Sequence, residues 1–459
     1  MELATYKRPQ SASSSGLKAA YIWIVASVAA ISGFLFGFDT AVINGALVFL
    51  QKQFSLSSLQ SETAASSLLL GCLLGAVGAG TLSDKLGRRK NLMGAALLFT
   101  LSAVGSAASQ NFGSFLAARF IGGLAIGLAS ALTPIYISEV APRESRGRLV
   151  SLNQLAIVTG ILVAYLTNWR LSQFGEHSWR WMFGVAGLPS VGFLLGLLFI
   201  PESPRWLIAK GRKAEGEAVL VKIAGVAAAT NEMAAIEHAV AEETSGLREL
   251  FSTGMRVRLF VAVALAMLSQ ICGINTVLYY GSILFAAHFH GQSASAAIGA
   301  NILVGVVNLL CTIAAMFFID RWGRRGLFLV SSAGMTVSLV VLSFSLRSPN
   351  AAPALIFGSV LFYVALFAVG LGPGVWVYVA EIFPTRVRAQ ATSLATAALW
   401  SACLAVTMTF LSIVETLGMP MAFLLYAVLS LVTFLFVWKF VPETRGKSLE
   451  EIQEMWGQS

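Results

Sequence analysis

Twelve stretches of mostly apolar residues follow one another along the chain, at roughly 21–50, 62–82, 91–109, 114–138, 150–168, 181–200, 257–287, 294–319, 327–346, 354–380, 391–413 and 420–441. Crossing the hydrocarbon of a bilayer takes about 20 such residues in a helix. A backbone segment in lipid must satisfy its own N–H and C=O groups, so a run of separate apolar segments reads as helices despite the many Val, Ile and Phe. Only 12% of the 459 residues are charged, about half the share of a soluble domain. A water-soluble chain of two or three domains is thereby excluded, and the expected class is all-α polytopic.

The first twenty residues, with Lys7, Arg8, Lys18 and serines from Ser11 to Ser15, resemble the start of a secretion signal. The apolar run behind them is too long for one and lacks a clear small-residue cleavage site, which predicts a retained tail. If both termini are cytoplasmic, 26 of the 31 Lys and Arg fall on the cytoplasmic side, four (Lys52, Arg170, Arg180, Arg347) fall outside, and Arg119 lies within the fourth span. That asymmetry is the topological signature of a cell-membrane protein. The net charge of +9 is accounted for by topology, and nucleic-acid binding loses its main support. Cys72, Cys272, Cys311 and Cys403 lie in apolar runs without metal-ligand spacing, so neither a disulfide framework nor a metal or cofactor site is expected.

One long polar stretch, about 202–256, divides the spans six and six. The expected organisation is a tail (1–20), a six-helix bundle (21–200), a cytoplasmic linker with short helices (201–256), a second six-helix bundle (257–441) and a second tail (442–459). The halves repeat each other. Asp84-Lys-Leu-Gly-Arg-Arg89 recurs as Asp320-Arg-Trp-Gly-Arg-Arg325 at an offset of 236, and Glu139-Val-Ala-Pro142 as Glu381-Ile-Phe-Pro384 at 242. Pro201-Glu-Ser recurs as Pro442-Glu-Thr at 241, and Gly37-Phe-Asp39-Thr as Gly273-Ile-Asn275-Thr at 236. Duplicated six-helix units are how many carriers that rock about a midplane site are built.

Gly80-Thr-Leu-Ser-Asp84-Lys-Leu-Gly-Arg-Arg89, Pro201-Glu-Ser-Pro-Arg-Trp-Leu207, Ser269-Gln270 with Gly273-Ile-Asn-Thr-Val-Leu-Tyr-Tyr280, Gly372-Pro-Gly-Val-Trp376 and Pro442-Glu-Thr-Arg-Gly-Lys447 together resemble the sugar porters of the major facilitator superfamily. The likeness covers nearly the whole chain. It implies alternating access, and a monosaccharide or polyol as the transported molecule.

Asp39 and Arg119 are the two ionisable residues deep within the spans, whereas Glu62, Glu139, Glu381 and Glu415 fall at or near span ends. A charge in hydrocarbon costs at least about 2.5–3.5 kcal/mol, so such groups face a cavity and pair. The expectation is that Asp39 pairs with Arg119 and that protonation of Asp39 releases it. The resemblance implies the same, since proton-coupled porters typically carry Asp here and facilitative relatives often Asn. A purely structural ion pair is the alternative.

A sugar presents hydroxyls around a ring with apolar faces, and asks for amides beside an aromatic platform. Gln154, Gln270, Asn275 and Asn308 supply the amides, and Phe36, Tyr279, Trp376 and Trp400 the aromatics. Gly273 permits the seventh span to unwind between Gln270 and Asn275. On residue type alone each of these also serves as a helix-to-helix tie or a packing ring; the matching motif positions favour binding. Ile271 stands where relatives often carry a second Gln, Leu399 and Cys403 where many carry amides, and Ala368 where glucose facilitators carry an acid. These departures put a fully hydroxylated hexose in doubt and leave pentoses, deoxysugars and polyols open.

The resemblance further implies a gate on the cytoplasmic side, made by Asp84, Arg88 and Arg89 with Glu139 and Arg146, and by Asp320, Arg324 and Arg325 with Glu381 and Arg388. These ion pairs would close the inside and break on rocking; charges that only set topology are the alternative. Gly71, Gly75, Gly122, Gly123 and Gly127 read as close helix packing, Gly370 to Gly374 as a hinge before Trp376, and His288 and His290 as interfacial. The favoured function is proton symport of a sugar or polyol by a monomer in the bilayer. A proton-independent uniporter and a transporter-like nutrient sensor are the other readings. An enzyme is disfavoured, because the spans hold no cluster of catalytic acids, nucleophiles or metal ligands.

Overall fold

The structure is a computed structural model that describes residues 12–142, 145–242, 250–286, 294–348, 352–445 and 451. His288 and His290 lie outside the described residues, as does most of each chain end. Every regular element among the described residues is helical, and twelve membrane-spanning units are present.

The first five spans are single helices: α1 (Ala12–Phe54), α2 (Ser58–Leu86), α3 (Arg88–Ala108), α4 (Phe112–Val140) and α5 (Arg146–Leu171). The sixth is split into α6 (Ser178–Gly184) and α7 (Gly187–Phe199), a break that hydropathy did not mark. Between the bundles run α8 (Pro204–Ala209), α9 (Lys213–Ala224) and α10 (Val226–Glu242). The seventh span is α11 (Thr253–Ile271) plus α12 (Ile274–Ala286), then come α13 (Ala294–Trp322) and α14 (Arg324–Arg347). The tenth is α15 (Pro353–Val369) plus α16 (Leu371–Glu381), and α17 (Thr385–Leu417) and α18 (Met419–Phe440) complete the second bundle. We call the face that holds the basic loops inner and the opposite face outer.

Helix ends fall at caps rather than where hydropathy falls off. Ser57 and Gln60 form a capping box that starts α2, and Asn111 and Ser114 form one that starts α4. The glycines set interhelix distance. A Cβ at Gly123 would sit 1.9 Å from the Leu68 carbonyl oxygen, and one at Gly37 1.9 Å from that of Ile157. Only hydrogen fits at these crossings, so α2 packs on α4 and α1 on α5 at backbone contact. The expected packing role of Gly71, Gly75, Gly123 and Gly127 is what the structure has.

The linker helices have a small core of their own, Ile208, Leu220 and Ala229 against Met233 and Ile236. They are fastened to the first bundle: Trp206 Nε1 donates to the Asp84 carbonyl at 3.1 Å, and Lys222 Nζ lies 4.3 Å from the Tyr21 ring centroid.

Candidate functional site

The two chemistry-bearing charges meet as the sequence suggests. Arg119 Nη1 of α4 is 3.1 Å from Asp39 Oδ1 of α1, and Nη2 donates to the Asp39 carbonyl at 2.9 Å. The guanidinium also lies 5.0 Å from the Phe183 ring centroid of α6. The Arg119 side chain is sealed (0% exposed) while that of Asp39 keeps 7%. Space for the pair depends on Gly122, where a Cβ would sit 3.2 Å from Asp39 Oδ2.

Across from the pair the seventh span breaks. Gly273 takes φ +91°, and Tyr363 of α15 donates its hydroxyl hydrogen to the Cys272 carbonyl at 2.9 Å, satisfying a group that the break would orphan. The break folds Asn275 back on Gln270: Asn275 Nδ2 donates to Gln270 Oε1 at 2.6 Å, and Gln270 Nε2 to Ser269 Oγ at 3.0 Å. The two amides are thus brought together and pre-oriented. The tenth span breaks at Gly370, six residues before Trp376, which is half-buried on α16.

The aromatic candidates separate into two groups. Phe36 of α1 and Trp400 of α17 meet across the two bundles, with ring centroids 5.5 Å apart. Tyr279 is buried on α12, and its hydroxyl makes no hydrogen bond to Gln270 or Asn275. The Trp400 indole N–H lacks a hydrogen-bond partner among the described residues. Gln154 is half-buried on α5, and Asn308 is buried on α13.

Several of the residues expected to form the cytoplasmic gate are paired at the inner face. Arg88 grips Glu139 with Nε–Oε2 at 3.0 Å and Nη2–Oε1 at 3.1 Å, and Asp84 lies 3.9 Å from Arg88 but is 78% exposed. In the second bundle Arg324 Nη2 reaches Glu381 Oε1 at 2.8 Å. Both pairs lie inside one bundle. Arg146 meets Glu232 of α10 at 3.9 Å rather than Glu139, and Arg388 donates to the Phe383 carbonyl rather than to Glu381. The side chain of Asp320 lies outside those described. Arg89 and Arg325 cap the ends of the last spans of their bundles, donating to the carbonyls of Leu197 and Leu198 and of Trp438.

Sequence reasoning missed the acids that organise these corners. Glu202 accepts from the backbone N–H groups of Arg88 and Arg89 at 2.9 and 3.0 Å, and Glu443 from those of Arg324 and Arg325 at 3.0 and 3.1 Å. Each carboxylate sits at a helix N-terminus, where the backbone dipoles favour it. Gly87 (φ +91°) and Gly323 (φ +79°) leave room for the acids. The signal was present: Pro201-Glu and Pro442-Glu repeat at nearly the offset of the Gly-Arg-Arg motifs.

Also missed was the outer closure. Asn44 of α1 accepts from Ser282 N at 3.0 Å and from the Ser282 hydroxyl, and donates to the Leu278 carbonyl at 2.8 Å and to Asn301 Oδ1 at 3.2 Å. Glu62 of α2 is fully buried and accepts from Ser412 N at 2.8 Å and Ser412 Oγ at 2.7 Å on α17. Tyr165 of α5 donates to the Leu278 carbonyl at 3.1 Å. These bonds join the two bundles toward the outer face.

The family described as "Sugar (and other) transporter" matches residues 25–456. The chain belongs to this sugar transporter family. Among its relatives is the arabinose-proton symporter of Bacillus subtilis, 38% identical over 443 residues that cover 95% of each chain. The D-xylose-proton symporter of Escherichia coli K12 is 37% identical, covering 95% of this chain and 96% of its own. The solved structure of the proton:xylose symporter XylE bound to 6-bromo-6-deoxy-D-glucose superposes with a TM-score of 0.83 at 36% identity, covering 96% of this chain and all of that one. The twelve-helix major facilitator fold expected from the sequence is the fold this family member has.

Proposed function

We propose that this protein imports a monosaccharide or polyol together with a proton, by alternating access across the cell membrane, with both termini cytoplasmic and a monomer as the working unit. The observation that carries the reading is the Asp39–Arg119 pair, an ion pair buried in the first bundle with Arg119 fully sealed and the Asp39 side chain 7% exposed. Protonating Asp39 removes one partner of a buried pair and leaves Arg119 to find others, which alters the relative free energies of the two bundle arrangements. The relatives named as arabinose- and xylose-proton symporters support the same coupling. Phe36, Gln154, Gln270, Asn275, Tyr279, Asn308, Trp376 and Trp400 form the proposed sugar site. Ile271 and Leu399 make its second-bundle wall less polar, which favours substrates with fewer hydroxyls than a hexose.

One proton suffices energetically. A charge crossing 100 mV is worth about 2.3 kcal/mol, or roughly forty-fold accumulation, before any pH gradient contributes. The test is uptake of labelled sugars into proteoliposomes, run as a competition panel with and without a proton gradient. Asp39→Asn is expected to abolish sugar-dependent proton uptake while keeping sugar exchange. Proton uptake that persists in this variant would remove Asp39 from the coupling role, and indifference of wild-type uptake to the gradient would favour a uniporter.

A further inference from the structure

A groove of about 580 Å³ runs along the membrane-facing side of the second bundle between α11 and α17, and no step of the proposed transport cycle uses it. Phe260 and Val263 line it on α11, and Leu394, Ala398 and Ser401 on α17. It opens away from the sugar site. Phe260 is 57% exposed and Leu394 38%, whereas Trp400 on the other side of α17 is 3% exposed and packs on Phe36. The small side chains at 397, 398 and 401 give the trough its depth, while Phe260, which also meets Phe436 and Phe440 of α18, forms a wall.

The depth of the groove in the bilayer follows from helix geometry. Val263 is seven residues beyond Arg256 on α11, about 10 Å along the axis at 1.5 Å per residue, which is within the inner half of a hydrocarbon core about 30 Å thick if Arg256 marks its edge. The groove thus occupies the leaflet on the inner face. At its inner mouth stands Arg256, exposed, its Nε donating to the Phe251 carbonyl at 2.5 Å. That bond fixes the guanidinium at the mouth. The other guanidinium nitrogens have no acid or carbonyl partner among the described residues. An arginine at the edge of hydrocarbon without a protein anion is completed by phosphate, which its planar fork fits.

We propose that this groove is a binding site for one anionic phospholipid of the inner leaflet, its phosphate on Arg256 and one acyl chain laid along Phe260, Val263, Leu394 and Ala398. The apolar trough takes the chain that any phospholipid offers. A positive charge with no acid partner among the described residues selects a lipid with net negative charge over a zwitterionic one. The lipid would bridge α11, the half-span that carries Gln270, to α17, which carries Trp400. Headgroup composition would then bear on how these two helices sit.

The full chain, purified in mild detergent and stripped of lipid, is offered phosphatidylglycerol or phosphatidylcholine, and retained lipid is counted by native mass spectrometry. Wild type is expected to retain one phosphatidylglycerol in preference to phosphatidylcholine. A basic residue near an anionic surface is worth about 1 kcal/mol, so Arg256→Gln should reduce that preference about fivefold, and Arg256→Lys should restore much of it. Ala398→Phe, which fills the trough, should lower retention of both lipids. Equal retention of the two lipids by wild type, or an unchanged preference in Arg256→Gln, overturns the assignment. Neither readout depends on what the protein transports.

Discussion

Glu62 offers the sharpest test of how the bundles are held together. Its carboxyl is fully buried on α2, and both oxygens accept from one residue of the other bundle, Ser412, through the backbone N–H at 2.8 Å and the hydroxyl at 2.7 Å. A hydrogen bond contributes about 0.5–1.5 kcal/mol net, more if one partner is charged. Two such bonds therefore favour the outer-closed arrangement by about 1–3 kcal/mol, a factor of roughly 5–150 in the ratio of the two populations. Glu62→Ala removes both and should open the outer face by that factor. Glu62→Gln should not, because its amide oxygen accepts from the N–H and its NH₂ donates to the hydroxyl. Ser412→Ala should fall between, keeping the backbone bond. Spin labels at Leu59 and Leu417, both exposed at the outer ends of α2 and α17, report the separation in reconstituted protein. A short-distance population in Glu62→Ala equal to that of wild type, with Gln and Ala indistinguishable, would refute the clamp.

Three further outcomes follow from geometry. Gly87→Ala and Gly323→Ala place a side chain at φ +91°, ψ 169° and φ +79°, ψ 160°, a region costing about 1–3 kcal/mol for other residues; both should lower the thermal unfolding temperature by similar amounts, and a silent variant would break the equivalence of the two corners. Gly123→Ala, whose Cβ meets the Leu68 oxygen, should destabilise by about 1–3 kcal/mol through overpacking, whereas Gly94→Ala, with nothing within 4 Å, should be neutral or stabilising in the same unfolding assay. Gln270→Ala takes away the acceptor of Asn275, and leaving a buried donor unpaired costs about 1–3 kcal/mol; sugar affinity measured by ligand-dependent thermal shift should fall about 5- to 150-fold.

What the sequence disclosed, and what it did not, divides along a physical line. Span number, duplication and glycine packing all leave periodic or repeated signals, and the scarcity of charge singled out Asp39 and Arg119. The break at Gly273 was legible because a glycine sits between two amides inside an apolar run. Partner identity was not legible where it depends on tertiary approach. Glu62 reads as an acid at a span end, yet it ends up fully buried because Ser412, 350 positions away, comes to it. Asn44 stands five residues after Asp39 and looks like one more polar residue of α1; its acceptors and donors come from α12 and α13. Arg146 and Arg388 occupy equivalent motif positions, but the first is drawn to Glu232 on a linker helix that has no counterpart in the second bundle.

That linker has a use of its own. With Trp206, Lys222 and Glu232 all anchored on the first bundle, α8 to α10 ride on it as cargo. A fluorophore at Val226, 72% exposed on α10, paired with one at Trp438 on the inner part of α18, would watch one bundle tilt past the other from the aqueous edge. The transport movement becomes visible there without a probe placed in the sugar path.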